Sequence, residues 1–278
     1  MSSLSALSEL YQAIFRRHAV RSFTGARLHP NDLAALERAF NLVLPLGREI
    51  RLRLVTEGVS RVFPRPLFRQ VPALIALIAP VATARCATAA GYRGEHVILT
   101  ATALGLDTCW VSGTYRREEA LRLAEVGPGE ILMAVIALGY GAPPGPLQKI
   151  VHAAVGSGRR PLAELLLPGG LESHALPDWA RTALTAARYA PSAANRQPWR
   201  FLVEENAITV RIDSPPIATA RGLDVGIAMF HLELGAAFAG VKGVWEWRDE
   251  PEVARFRLRL PDEHDGRPIF ADAAQTFF

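Results

Sequence analysis

Two stretches of the chain can be laid over one another along their whole length: HVILTATALGLDTCW at residues 96–110 and HLELGAAFAGVKGVW at 231–245. His96 falls on His231, Gly105 on Gly240 and Trp110 on Trp245, a constant spacing of 135 (231 − 96). An earlier pair repeats a plan of aspartate, helix, proline, loop and strand: HPNDLAALERAFNLVLPLGREIRLRLVTE at 29–57 and LPDWARTALTAARYAPSAANRQPWRFLVEE at 176–205. Here Asp32 falls on Asp178 and Pro45 on Pro191, a spacing of 146 (178 − 32), and Leu54 and Val55 meet Leu202 and Val203 once two residues are inserted. Repeats of about 20–50 residues build solenoids or propellers, whereas one this long does not. It predicts two copies of a helix and strand plan packed as a dimer fused into one chain, with pseudo-two-fold symmetry and an isologous interface.

With 278 residues, 50% of them apolar and 21% charged, the chain can bury one large core or two modest ones. Leu7, Leu10, Tyr11, Ile14 and Phe15 recur at helical spacing and predict a helix over 5–18, with Arg16, Arg17, His18 and Arg21 at or beyond its C-terminal end. A second helix, capped by Asn31 or Asp32, runs to the break at Pro45. IRLRLVT and PALIALIA predict strands. A helix follows from about Gly94 to Leu104, apolar round most of its circumference and therefore central, with Gly105 as its stop. A short helix at REEALRLAEV and a buried strand at ILMAVIALGY come next, and Pro143, Pro144 and Pro146 predict a loop.

Several classes of function are disfavoured. The longest apolar stretch, VPALIALIAPVATA, is broken by Pro72 and Pro80, and it falls short of the ~20 residues of a membrane span. No membrane partner is expected. The opening MSSLSALSELYQAIFRRHAV lacks a basic segment followed by an apolar one, which predicts no secretory signal and a cytoplasmic location. Cys86 and Cys109 are too few for a disulfide framework and have no metal-ligand spacing with any histidine, so no metal is expected. The net charge of +4 is arginine's work, since Lys149 and Lys242 are the only lysines, and the arginines form no stripe with interleaved aromatics. Small anions such as phosphate groups, rather than nucleic acid, are the expected partners.

Four segments in compatible order, RHAVRSF, ALGLDTCWVSG, APSAANRQPWRF and DVGIAMFHLELGAA, resemble the flavin-dependent nitroreductase superfamily over residues from about 9 to 247. The resemblance extends to a subgroup in which two diverged half-repeats share one polypeptide. It implies an α+β, nitroreductase-like fold with a mostly antiparallel sheet in each half, flanked by helices. The halves would be residues 9–165 and 166–278, intertwined around a long-helix interface. Members are usually homodimers with FMN at the subunit interface. One subunit supplies an arginine-rich segment, a Cys-Trp helix end and a late basic pair, and the other a Pro-Ser-x-x-Asn-x-Gln-Pro-Trp loop. In this chain the first half has RHAVR at Arg17 to Arg21, DTCWVSG, and Arg159 with Arg160, while LPLGREIRLR stands where its loop would be. The second half keeps the loop at Pro191 to Trp199 and lacks the rest. The losses are complementary, so one complete site spans the two halves and the other is vestigial.

Carried onto this chain, the resemblance gives Arg17 and Arg21 jointly to the FMN phosphate and the pyrimidine edge of the ring, with His18 as a further donor and Arg159 and Arg160 on the phosphate. Guanidinium forks grip phosphate oxygens bidentately and stay charged at any relevant pH. Family members usually have serine where Ala19 stands, so one hydroxyl contact is missing. Pro191, Ser192 and Ala193 would present backbone and hydroxyl groups to the flavin. Asn195 would both donate to and accept from the ring, and Gln197 would orient the loop or the ring. Trp110, Val111, Ser112 and Gly113 would sit near the other edge, where a backbone N–H reaches flavin N5. NADH or NADPH would deliver hydride to N5 and a small nitroaromatic, quinone or similar acceptor would take the electrons in turn, with ping-pong kinetics and no protein nucleophile.

Other readings stand beside this one. Another flavin chemistry on the same fold, such as dehalogenation or flavin breakdown, a flavin-binding sensory module, and a scaffold without turnover are open alternatives. Arg16, Arg17 and Arg21 could pair with the exposed carbonyls of a helix end, and the Pro191 loop could be a helix stop. Trp110 and Trp245 suit a core or interface, Cys109 a small buried apolar position, and His96 and His231 are better explained by packing than by catalysis. A fused pseudo-dimer is expected to be a monomer, with a dimer as the alternative.

Overall fold

A computed structural model describes residues 3–42, 44–155, 158–213 and 219–259. In chain order its elements are α1 (Ser3–Arg16), α2 (Pro30–Asn41), β1 (Arg51–Val55), β2 (Ala73–Ala79), α3 (Ala84–Ala103), β3 (Asp107–Val111), α4 (Arg117–Leu123), β4 (Ile131–Gly139), α5 (Pro146–Val155), α6 (Leu162–Leu165), α7 (Asp178–Arg188), β5 (Trp199–Glu204), β6 (Ala207–Ile212), α8 (Thr219–Phe238), β7 (Gly243–Trp247) and β8 (Glu252–Leu258). The strands form two four-stranded sheets, ordered β1-β2-β4-β3 and β5-β6-β8-β7, with every neighbour antiparallel. The order of the first sheet recurs in the second. Each also has a register shift in its second strand, at Leu77/Ile78 and at Val210/Arg211.

The run ALIALIA becomes a strand buried along its whole length because both faces of its sheet are covered. Ala73, Ile75, Leu77 and Ala79 face a layer that contains Ala89, Ala90, Val97 and Ile98 of α3. The alternate residues Leu74, Ala76 and Ile78 face Phe63, Phe68 and Ala120 on the other side.

α3 packs along α8 at the centre of the molecule. A Cβ added at Gly91 would fall on the backbone carbonyl of Leu223, and one at Gly226 on that of Thr88. Thr88 with Leu223 and Gly91 with Gly226 are each separated by 135 positions (223 − 88, 226 − 91). The two close approaches are therefore one contact seen from either helix, in the same register as the sequence repeat.

Three local expectations are corrected. α3 begins at Ala84, ten residues before Gly94, behind a Thr83 hydroxyl that accepts the Cys86 N–H at 3.1 Å. From Cys86 onward the added turns, CATAAGYR, are buried on every side, so they carry no periodic contrast. The N-cap of α2 is His29, whose Nδ1 accepts the Asn31 N–H at 3.2 Å with Pro30 in the first helical position, while Asp32 instead accepts the Tyr140 hydroxyl at 2.7 Å. The prolines after Gly141 do not mark only a loop: Pro146 opens α5.

Candidate functional site

α1 stops at Arg16, and the chain then runs extended beside the edge strand β3, bridging Ala19 to Thr108 with the Val20 N–H on the Thr108 carbonyl at 2.9 Å. Extended backbone sends alternate side chains to one face. Arg17, Ala19 and Arg21 all line a cleft of about 270 Å³, together with His18 and with Cys109, Trp110 and Ser112 from β3 and its end. Arg159 closes one side. Pro191, Ser192, Ala193, Ala194 and Asn195 form the opposite wall, and Ala220, Leu223, Asp224 and Ile227 of α8 complete it. Ten of the fourteen residues proposed above thus share one cavity. Val111 is buried in the sheet core and Gly113 lies beyond the rim. The Arg160 guanidinium lies 3.8 Å from Glu164, and Gln197 is buried behind the loop.

The loop is held by its surroundings. Ala194, Asn195 and Gln197 have φ of 52°, 53° and 50°, left-handed values that cost non-glycine residues energy and persist only where neighbours over-determine them. Here Ser192 Oγ accepts the Gln197 N–H at 2.9 Å and Asp224 Oδ1 accepts the Ala193 N–H at 2.9 Å. Gln197 Oε1 accepts the Arg160 N–H at 2.9 Å, and its amide donates to the Gly158 carbonyl at 3.0 Å. Asn195 also donates to that carbonyl, at 2.9 Å, and its Oδ1 accepts from Arg159 Nη1 at 2.8 Å. The Asn195 amide is therefore engaged in holding Arg159 over the cleft, and Gln197 orients the loop rather than the cavity.

Beneath Arg17 lies a fully buried carboxylate. Glu95 Oε1 is 2.9 Å from His231 Nε2 and 4.0 Å from Arg17 Nε, and Glu95 Oε2 accepts the Trp110 indole N–H at 2.8 Å. Burial, the largest influence, pushes this carboxyl up, but His231, Arg17 and Trp110 together overcome it and hold Glu95 below its ordinary value. The Arg17 side chain is 7% exposed. Its Nε is sealed from solvent with no hydrogen-bond partner among the described residues.

The other charges follow from burial. Burial, and then the charge of Arg17, lower Arg159 from its ordinary value, and it remains a cation. Burial raises the Cys109 thiol, with Arg21 and Arg17 opposing, so it stays protonated at neutral pH. Asp224 is pushed up to about 7 by burial, against the pull of the Ala193 N–H and Arg196. The cavity accordingly has three guanidinium groups facing one half-ionised carboxyl near neutral pH, which suits an anionic ligand.

Sequence reasoning missed Asp224, Glu95 and the role of His231. Asp224 opens the quoted DVGIAMFHLELGAA segment, and Glu95 and His231 are ionisable residues within helices rich in small and apolar residues. A buried ionisable residue requires a partner, and that was the available signal.

The chain belongs to the family described as "Putative TM nitroreductase", whose model matches residues 9–236. Its fold is that of a "putative nitroreductase" from Thermotoga maritima MSB8, whose crystal structure is 21% identical, with a TM-score of 0.63 over 90% of this chain and 93% of that one. Weaker likenesses include a nitroreductase with bound FMN from Desulfitobacterium hafniense DCB-2, 17% identical, TM-score 0.41, covering 50% of this chain and 92% of that one. Another, with bound FMN, comes from Bacteroides fragilis NCTC 9343, 19% identical, TM-score 0.39, covering 48% and 88%. No curated protein matches the chain. No described helix is long and apolar enough to cross a membrane.

Proposed function

We propose that the protein is an FMN-dependent oxidoreductase that takes electrons from NADH or NADPH and passes them to a small nitroaromatic, quinone or similar acceptor in alternating, ping-pong half-reactions. Membership of the nitroreductase family supports this reading. The observation that carries it is the convergence of three guanidinium groups, Arg17, Arg21 and Arg159, from two separate segments on one cavity. Such a cluster calls for an anion beyond the buried Glu95. FMN fits, having a phosphate at one end and a ring edge that becomes negative on reduction.

When bound, FMN supplies the two-electron transfer between donor and acceptor. The chain's own residues do the rest. Arg17, Arg21 and Arg159 bind the negative groups, with His18 as an added donor. Asn195 acts through Arg159, fixing its fork over the cavity. The Pro191–Ala193 wall and Leu223 and Ile227 of α8 exclude water from the cavity's side, and the Ser112 end of β3 borders its mouth. Asp224, titrating near neutrality, can hold a proton at the cavity edge.

The two halves, 9–165 and 166–278, act in this proposal as a dimer fused into one cytoplasmic, monomeric chain with a single site. Residues 260–278 of the second half lie outside those described. The test is anaerobic spectroscopy of the flavin-loaded full chain. Its yellow absorbance should bleach with NADH or NADPH and return when a quinone or nitroaromatic is added. A flavin that both donors leave oxidised would contradict the proposal.

A further inference from the structure

The buried Glu95–His231 pair joins a helix of the first half to a helix of the second, under the cation that faces the cavity. His231 Nδ1 lies 3.0 Å from the Ala186 carbonyl and its Nε2 2.9 Å from Glu95 Oε1. Both neighbours are acceptors, so beside an ionised Glu95 the ring fits only with a proton on each nitrogen. Glu95, His231 and Arg17 then sum to one net positive charge. Among the described residues Glu95 is faced by His231 from α8, Trp110 from β3 and Arg17 from the segment after α1, with the charge of Arg159 also acting on it.

The repeat supplies its own control. Under the 135-residue spacing, Glu95 corresponds to Phe230 and His231 to His96 (230 − 95, 231 − 96). At this mate position the two rings meet edge to face, with centroids 5.5 Å apart. The same place between the two helices is thus filled without a carboxylate, and packing alone does not require one. Burying a carboxylate is costly unless it is paired, and an apolar substitute of similar volume is often as stable or more so. A carboxylate facing a histidine between the two helices is found on the side where the cavity and Arg17 lie above it, whereas the indole of the mate Trp245 is taken by Glu233 from another helix position.

We infer that Glu95 and His231 are a positioning pair for Arg17, through which the second half of the chain fixes the direction and net charge of the cation at the cavity floor. The pair rests on the flavin reading for the identity of the ligand but not for its own existence. Glu95 draws Nε toward the interior and leaves the outer nitrogens of the guanidinium for a ligand in the cavity. If Glu95 becomes an amide, His231 loses the partner for its second proton and Arg17 loses its anchor. The net charge is conserved while the direction of the fork is lost.

The experiment uses full-length protein without flavin, labelled with ¹⁵N at histidine and arginine, as wild type, Glu95→Gln and Glu233→Gln, the last a buried carboxyl outside the cavity whose change should leave the Arg17 signal and the FMN Kd as in the wild type. In the wild type the His231 ring should show two protonated nitrogens and the Arg17 Nε–H should be resolved and slow to exchange. In Glu95→Gln the ring should become neutral and the Arg17 signal should move to the position of a solvent-exposed arginine. FMN is then titrated into each protein, and Glu95→Gln should raise its Kd roughly tenfold or more, the loss of a buried bond to a charged group. A neutral His231 ring in the wild type overturns the inference, as does an unchanged Arg17 signal or an unchanged Kd in a folded Glu95→Gln. If the wild type shows both signals and binds no FMN, the positioning pair stands and the flavin reading falls. If it binds FMN and the ring is neutral, the reverse holds.

Discussion

Two buried glutamates receive the indole N–H of equivalent tryptophans, and they differ in charge. Glu95 accepts from Trp110 at 2.8 Å and Glu233 from Trp245 at 2.6 Å. Glu95 has an imidazole at 2.9 Å and a guanidinium at 4.0 Å and is held below its ordinary value. Glu233 shares its Oε2 with the Tyr92 hydroxyl at 2.6 Å, has no hydrogen-bond partner for Oε1 among the described residues, and is pushed up to about 7 by burial, against Tyr92, Trp245 and the charge of Arg259. The scaffold repeats while the electrostatics do not. The buried carboxylate beneath the cavity is held ionised, whereas Glu233, at the corresponding tryptophan of the other half, is pushed up toward neutrality by burial.

Substitutions should hurt most at the close contact between α3 and α8. Gly91→Ala and Gly226→Ala each drive a methyl group into a backbone carbonyl, and each should cost about 3 kcal/mol or more. By calorimetry the two should lower Tm alike, by roughly 10 °C. A large loss for one and none for the other would mean that the contact is not isologous.

Glu233→Gln comes next. Its folded value of about 7 exceeds the ordinary 4.5, so the folded protein binds the extra proton between these pH values and stability falls as pH rises through that window. An amide mimics the protonated acid. Denaturant unfolding should therefore show the variant gaining on wild type by on the order of 3 kcal/mol between about pH 4 and pH 8. A difference that does not depend on pH would show that burial leaves Glu233 at its ordinary value.

Flavin binding separates the halves by smaller amounts. Arg17→Ala should raise the FMN Kd ~100-fold and Asn195→Ala, which loosens Arg159, ~10-fold, although the two residues come from different halves. Fluorescence quenching measures both, and an effect from only one would break the shared cavity. The smallest change is a gain. Ala19→Ser adds a hydroxyl to the cavity wall and should tighten FMN binding about threefold.

Much of this arrangement was legible in the sequence because it rests on short-range chemistry. Arginines after a helix end, the DTCWVSG segment, the Arg159–Arg160 pair and the Pro-Ser-Ala-Ala-Asn-Arg-Gln-Pro-Trp loop are local patterns, and ten of the fourteen residues assigned through them line one cavity. The first turns of α3 were hidden because a helix buried all round shows no amphipathic stripe. The His29 cap was hidden because histidine is an uncommon cap beside Asn31 and Asp32. The inward turn of Asn195 and the withdrawal of Gln197 depend on left-handed backbone at three positions, none of them glycine. Glu95 meets His231 across 136 residues (231 − 95), a pairing set by the packing of α3 on α8 and by no local signal.

If segments from both ends of the chain build one anion-binding cavity and the mate position holds none, calorimetric titration of the full-length apoprotein with FMN should saturate at one FMN per chain. Saturation at two per chain, or no binding, would refute a single shared cavity.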